Sequence, residues 1–523
     1  MSSGKRNTRF HSITAALCTI SLFAAVPAQA AALDSFPILQ STSNEQLGAD
    51  YYIPSTVENI SWGYLPNRDS KSIMTVTSGS TVTFDTLSHE GILEDQGRDP
   101  EKYFASFGIR PDQVLDDAKA VAASELQHDF DNDGPHVVTG PIGIQGAEPG
   151  DVLKVEVLSL TPRVPYGVIS NRHYKGALPG EYPENEGRKE GASAANPELY
   201  QNISKFTPVE EINGKLYGVL PVEQGGHVRF PLKPFMGLMG VAPDTSEKVS
   251  SVPPIETGGN IDINELGVGS TLYLPIQVKG GLFYTGDPHF AQGDGEVALT
   301  AMEASLRGTF RLTVLKAGDP SLPRAELKQP FAETEDYWIP VGLDPDLDEA
   351  MKEAVREALG FLNEKLGMDR ATAYAYMSAA TDYEVSQVVD KTKGIHALIH
   401  KRHFINNLKL SIAINGSALG SSIIGDEFYV PLRPLAEGLG YEVEWDPKRH
   451  AALATAPGKN LTVPIGQSIY EMDGKAVYNS EAAIMKNGIT MIPIKTIPAL
   501  FGAHVNWTTS GNVLKASVTP SLN

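Results

Sequence analysis

Between Gly286 and Ser305 the chain reads GDPHFAQGDGEVALTAMEAS. Asp287, His289, Asp294 and Glu296 fall within ten residues, separated by Gly293 and Gly295 and preceded by Gly286. Carboxylate and imidazole donors suit Zn²⁺, Mn²⁺ or Ca²⁺, and the same groups move protons in general acid–base catalysis. The glycines let the backbone turn tightly and approach a small ligand. Asp287 and His289 are two apart and project to one side of an extended segment. A solvated acidic turn closing a hairpin would use the same residue types, because Asp and Gly are ordinary turn residues. The loop alone leaves both readings open.

Other stretches carry groups of the same kind. PPIETGGNID, residues 253–262, brings Asn260 and Asp262 into a strand after two glycines. PHVVTGPIGIQGAEPGD, residues 135–151, places His136 two residues after Gly134. VTFDTL, residues 82–87, sets Asp85 in a strand otherwise built of Val, Thr, Phe and Leu. A charge in such a run must face solvent or be paired. HDFDNDG, residues 128–134, begins like a D-x-D-x-D-G calcium loop, but its twelfth position is Gly140 and the closing carboxylate is missing. A plain acidic turn at a pocket rim near His136 is the simpler expectation. His396, His400 and His403 accompany Lys401 and Arg402; His396 and His400 would share a helical face at a surface junction. Two insertions, 88–133 and 171–205, match nothing recognisable apart from that acidic turn, and the second, which contains His173, reads as a lid or a disordered segment.

The elements that must position these groups follow from pattern. The chain has 523 residues, too many for one ordinary domain. Its 41% apolar and 20% charged composition is that of a globular protein. Lys5, Arg6 and Arg9, the apolar run ITAALCTISLFAAV and the Ala28-Gln29-Ala30 site read as an export signal over 1–30. No other segment approaches a membrane span. The single cysteine, Cys18, lies in this signal, and bulky Leu17 before it argues against a lipid anchor. A mature chain without a thiol excludes disulfides, zinc-thiolate sites and cysteine nucleophiles. Loss of the signal takes the formal charge from −20 to −23, which disfavours nucleic acid. Export to the extracellular space or the cell wall is therefore expected.

Residues 31–49 read as a flexible lead-in. MTVTSGSTVTFDTLS alternates around a Ser-Gly-Ser turn as a hairpin would, and PGDVLKVEVLSLTPR, GSTLYLPIQVKGGLFYTGD and GTFRLTVLKAG repeat the strand pattern. A mainly β sandwich or barrel core with α+β additions follows. Leu347, Met351, Ala354, Ala358, Leu359 and Leu362 share one face of a helix that stops at Gly367, and a second helix from Asp369 carries Ala371, Tyr374 and Met377. YVPLRPLAEGLGYEVEW (429–445) and MIPIKTIPALFGAHVNW (491–507) repeat at an offset of 62. Each reads strand, short helix closed by Gly440 or Gly502, then a strand with Trp445 or Trp507. Neither has enough apolar face to stand alone, so the pair should form one small α+β unit.

Two resemblances rest on these motifs. The C-terminal repeat resembles the copper amine oxidase N-terminal-like domain, over 405–523. That domain is a frequent appendage of secreted proteins of Gram-positive bacteria, which implies adhesion, spacing or dimerisation rather than copper chemistry. GPIGIQGAEPGDVLKVEVL, PFMGLMGVAP, PPIETGGNIDINELGVGSTLYLPIQVKGGLFYTGDPHFAQGDGE and ATAYAYMSAATDYEVSQVVD resemble successive blocks of the acetamidase/formamidase family, over 50–404. The resemblance implies hydrolysis of the C–N bond of a short amide to a carboxylate and ammonia, with a bound divalent metal. Asp85, His136, Asp262, Asp287, His289 and Glu296 sit on the family's motif positions, with Asn260 and Gln292 as polar neighbours.

Amide hydrolysis needs a nucleophile, an electrophile and a proton donor. The mature chain has no cysteine, no G-x-S-x-G elbow and no Gly/Ser-rich amidase stretch. A metal supplies the first two by acidifying water towards a pKa of about 7 and polarising the carbonyl. We expect Asp262, Asp287 and His289, with His136 or Asp85, to hold it. Zinc comes first, with calcium or manganese as alternatives. Glu296 would be the proton carrier, and Asn260 and Gln292 would bind the amide. The alternatives are a non-catalytic surface-binding protein on the same fold, or an amidase for a larger or cyclic amide. Contact with the cell wall, or between copies through the C-terminal domain, is a further expectation.

Overall fold

The computed structural model describes residues 36–42, 48–223, 225–404, 409–414, 416–424, 427–479, 481–510 and 513–520. The expected export signal lies outside them. Among the described residues no helix is long and apolar enough to cross a membrane.

Alternation of apolar residues builds two large sheets, one of nine strands and one of eleven. Val82, Phe84, Leu153, Val155, Phe310 and Leu312 from the first meet Ile142, Met236, Met239, Val241, Phe283 and Phe290 from the second in one core. The rings of Phe84, Phe283 and Phe310 pack edge-on across it, with centroids 5.7–6.1 Å apart. The sandwich expectation holds. The expected 75–85 hairpin does not form. Thr75–Val76 pairs in parallel with Val137–Ile144, whereas Ser80–Asp85 lies between Tyr51–Ile53 and Leu306–Leu315 in the other sheet. The physical reason is burial: Val76, Val82 and Phe84 all enter the interlayer core, so the chain crosses layers at Gly79 (φ +93°) instead of folding back on itself.

Residues 37–42 are fixed by hydrogen bonds rather than flexible. Leu39 exchanges two backbone-directed bonds of 2.9 Å with Arg163, whose side chain is wholly buried.

The two expected helices are Leu347–Glu364 and Arg370–Ala380, capped by the side chains of Asp346 and Asp369. Ala350, Ala354, Ala358 and Leu362 form the buried stripe of the first. Met377 is buried as expected, but Met351 and Tyr374, also expected on core faces, are exposed, and Ala373 is buried in place of Tyr374. The first helix leans on Tyr337–Asp344 and the second on the first, which anchors the Asp382–Gln387/Lys393–His400 hairpin at the edge of the nine-stranded sheet.

The C-terminal repeat pairs as expected. Glu427–Pro431 and Ile489–Pro493 lie antiparallel, and each leads into a short helix, Leu432–Gly438 and Ile497–Phe501. Gly440 and Gly502 take left-handed φ of +86° and +60° at the ends, where a side chain would be strained. Phe428 and Trp507 of this unit pack against the cluster of Trp338 and Phe404.

Candidate active site

Strand Phe283–Ala291 is the spine of the site. Antiparallel pairing sets His289 opposite Phe235 on one side and Glu303 on the other. Directly opposed side chains share a face, and Glu303 Oε1 lies 3.0 Å from His289 Nε2. Asp287, two residues back, places Oδ2 3.1 Å from the same nitrogen. Asp262 enters from the turn after Gly258–Asn260, with Oδ1 3.9 Å from His289 Nδ1. Glu296 follows from the glycine loop, with Oε1 4.0 Å from Nε2. On the other flank His89 Nδ1 and His136 Nε2 each lie 3.7 Å from Asp287 Oδ1. The His136 ring is oriented by Ser251, whose carbonyl oxygen is 3.1 Å from Nδ1.

The backbone is bent to achieve this. Asp262, Asp287 and Glu296 all adopt left-handed φ, +47°, +47° and +46°. Such residues cost about 1–3 kcal/mol each and persist where the surroundings over-determine them. Asp287 also precedes Pro288, which favours extended backbone. Gly237 leaves the space they need. A Cβ at that position would press on Asp262 Oδ1 and come within 2.8 Å of Asp287 Oδ2 and His289 Cε1.

The donor atoms are buried and without hydrogen-bond partners: both nitrogens of His89 and His289, both oxygens of Asp262, Asp287 Oδ1 and Glu303 Oε2. Unpartnered buried polar groups are costly, and a cation among them resolves the cost. Three overlapping groups bring their ligand atoms within 4.8 Å of one another: His89, His136 and Asp287; Asp287, His289 and Glu303; Asp262, His289 and Glu296. Asp287 joins the first two. Oxygen and imidazole donors of this kind fit a divalent ion such as zinc or manganese.

Electrostatics follows the same crowding. Burial, then the neighbouring Glu296, Asp390 and Asp287 carboxylates, push Asp262 well above the ordinary carboxylate range. Burial and Asp390 do the same to Glu296, and burial raises Glu303. Burial also pushes Asp390 up to about 7. Burial alone would lower His289, but Glu303 and Asp287 hold it well above its usual value. Burial lowers His136 to about 4.

The cluster opens onto a cavity of about 250 Å³. Asp287, Glu296, Glu303, His136, His89, Asn260 and Asp390 line part of it. Asn260 Nδ2 donates to Asp390 Oδ2 at 3.1 Å, which leaves Oδ1 unpartnered. Arg172, Tyr174 and Lys175, from the second insertion, and Asp131 and Asp133, from the acidic turn, line the rest.

With this geometry in place, the comparisons decide the family. The profile of the Acetamidase/Formamidase family matches residues 116–249 and 245–399. The chain belongs to this family. The formamidase of Methylophilus methylotrophus is 26% identical over 310 residues, covering 50% of this chain and 75% of that protein. The acetamidase of Mycolicibacterium smegmatis is 27% identical over 199 residues, covering 31% of this chain and 49% of that protein. The chain thus spans between about half and three quarters of the length of these relatives. The acetamidase structure from Bacillus halodurans shares the fold, with a TM-score of 0.51 and 24% identity over 68% of this chain and 99% of that one. The acetamidase of Yersinia enterocolitica gives 0.51 and 24% over 67% and 92%. The Copper amine oxidase N-terminal domain matches residues 414–515.

Of the residues singled out from sequence in this acetamidase/formamidase member, the fold brings together Asp262, Asp287, His289, His136, Glu296 and Asn260. Asp85 is elsewhere. Its carboxylate takes hydrogen bonds of 2.6 and 2.9 Å from Arg307 and one of 2.5 Å from Tyr52, with Arg163 at 3.7 Å. It satisfies the need for a partner with arginine rather than metal. Gln292 gives both amide protons to backbone carbonyls, of Asp262 (3.0 Å) and Ser386 (3.1 Å), so it braces the glycine loop and has no NH₂ left for substrate. Asp129, Asp131 and Asp133 are occupied by Asn132, Arg188 and Tyr64, which makes the acidic turn self-satisfied. His396 and His400 lie on strand Lys393–His400, not on a helix. His89, Glu303 and Asp390 were not anticipated. Glu303 stands in the first quoted stretch, and only the strand register reveals it.

The Asp85 assignment is testable. Burial pushes this carboxyl up, but the Arg307 bonds, the Arg163 charge and the Tyr52 hydroxyl together hold it below the ordinary range. A depressed folded value gives stability that is full above the unfolded carboxyl value, about 3.9, and is lost as pH falls through the lower folded value. Asp85→Asn therefore costs on the order of 3 kcal/mol at neutral pH by leaving the Arg307 guanidinium without its carboxylate, while Arg163 keeps its 2.8 Å pair with Asp117. It also flattens the acid limb of Tm against pH, and leaves metal content unchanged. Thermal melts from pH 3 to 7 with metal analysis check all three outcomes.

Proposed function

We propose that the protein hydrolyses the C–N bond of an amide to a carboxylate and ammonia, with a divalent metal held by Asp287, His289 and Glu303, and by His89 and His136 on the opposite flank. The observation that carries the reading is a buried, unpartnered set of carboxylates and imidazoles, several of which line a cavity, in a chain of this family. When bound, such an ion acidifies water and polarises the carbonyl. Glu296 takes the proton of the attacking water and passes it to the departing nitrogen. Its burial beside the cavity, with Oε1 4.0 Å from His289 Nε2, places it for both halves of that task. Asn260, fixed by Asp390, presents Oδ1 to an amide N–H. Strained loops and the Gln292 brace hold these groups in place.

The cavity, about 250 Å³, is far larger than the roughly 30 Å³ share of one water. That favours an amide with a side chain over formamide itself. Export from the cytoplasm, on the strength of the basic and apolar start of the chain, completes the reading. Ammonia release from formamide, acetamide and longer primary amides tests it. Turnover should rise with acyl size within the cavity. A folded, metal-loaded protein that releases ammonia from none of them would refute hydrolysis.

A further inference from the structure

A second cluster lies on the outer side of the glycine loop. Glu265, Asp294, Glu384 and His396 bring one ligand atom each within 4.8 Å of the others, and none of them belongs to the groups above. Glu265 follows Asn264 in the turn after Asp262, Asp294 lies in the glycine loop, and Glu384 and His396 face each other on Asp382–Gln387 and Lys393–His400. Asp294 is exposed, Glu265 and Glu384 are half-buried, and His396 is fully buried.

The histidine separates this from an ordinary acidic patch. Ser386 Oγ lies 2.8 Å from His396 Nδ1 and fixes the ring. Nε2 then faces the carboxylates, 3.1 Å from Glu265 Oε2 and 3.8 Å from Glu384 Oε2. The Glu265 contact lacks hydrogen-bond geometry, and both Nε2 and Oε2 are buried without a partner. Among the described residues no lysine or arginine forms an ion pair with Glu265, Asp294 or Glu384. A histidine oriented through Nδ1, with Nε2 free among carboxylates, is the arrangement of a metal ligand held by an outer hydrogen bond.

We propose that Glu265, Asp294, Glu384 and His396 form a second divalent-cation site, for an ion that accepts mixed carboxylate and imidazole donors, Zn²⁺ or Mn²⁺ rather than Ca²⁺. Its role is structural. The four residues come from the Glu265 turn, the glycine loop and the edge hairpin. The loop already contacts that hairpin through Gly295 N to Val385 O (2.6 Å) and Gln292 Nε2 to Ser386 O (3.1 Å). A cation there fastens the loop two residues before Glu296. The site shares no ligand with the catalytic centre, so its failure would leave the hydrolase reading untouched.

The test uses the full chain loaded separately with Zn²⁺, Mn²⁺ or Ca²⁺, desalted and analysed for bound metal, alongside His396→Gln and Glu384→Gln. Wild type should retain about one equivalent more Zn²⁺ or Mn²⁺ than either variant, and those ions should raise its Tm by more than they raise the variants'. Glu384 is half-exposed, so Glu384→Gln keeps the test open if His396→Gln fails to fold. Equal metal content and equal Tm response in wild type and Glu384→Gln would overturn the proposal, as would a preference for Ca²⁺.

Discussion

Glu296→Gln should lower kcat by about 10²–10⁴-fold, the usual contribution of a positioned proton carrier, with bound metal retained. Glutamine matches the side chain in size but cannot accept or deliver a proton. The residue is only 7% exposed and lines the cavity, with Oε1 4.0 Å from His289 Nε2. Its left-handed backbone is held by the Glu296 N to Gly293 O bond of 3.2 Å, which the substitution does not touch. Asp287, His289, Glu303, His89 and His136 remain as ligands. Steady-state kinetics and metal analysis on one preparation check the split. A variant with wild-type kcat would remove Glu296 from the reaction; one that lost both rate and metal would make it a ligand instead.

Gly237→Ala should abolish most activity by a different route. The position has no left-handed φ, so alanine fits the backbone and the effect comes from the methyl group alone. That methyl would press on Asp262 Oδ1 and sit 2.8 Å from Asp287 Oδ2 and His289 Cε1. Real Cβ contacts are essentially never that close, so the carboxylates must move. Displacement of a reacting constellation by about 1 Å costs on the order of 10²-fold, and here two of the displaced residues, Asp287 and His289, are also proposed ligands. The expected result is reduced metal content and a rate down by about 10²-fold or more, with circular dichroism unchanged. Normal metal binding and rate would place the reactive centre away from Asp262 and Asp287.

Much of this site was legible because strand geometry is local. The two-residue spacing of Asp287 and His289 predicts a shared face, and the fold puts their side chains 3.1 Å apart. The glycines of the 286–295 loop predict a tight turn, realised at Gly295 with φ +92°. What was illegible depends on long-range register. Glu303 reaches His289 only because two strands pair across the loop, and no periodicity links positions 289 and 303. His89 comes from a segment without a motif, whereas Asp390 closes the block ATAYAYMSAATDYEVSQVVD, where nothing in the local pattern tells it from an ordinary turn residue. Asp85 shows the converse error: a charge in an apolar strand must find a partner, but the rule does not say whether that partner is a metal or an arginine. The same limit applied to the histidines at 396–403, where a helical spacing turned out to lie on a strand. At the level of fold, the repeat, both long helices and the sandwich were readable from apolar patterning. The layer crossing at Gly79 was not, because a buried strand pair and a crossover share the same alternation.

The most direct measurement is the rate of amide hydrolysis by the full-length protein after exhaustive chelation, with metal removal verified by elemental analysis. The rate should fall to background and return on adding back Zn²⁺ or Mn²⁺. Undiminished hydrolysis by protein shown to contain no metal would contradict the account.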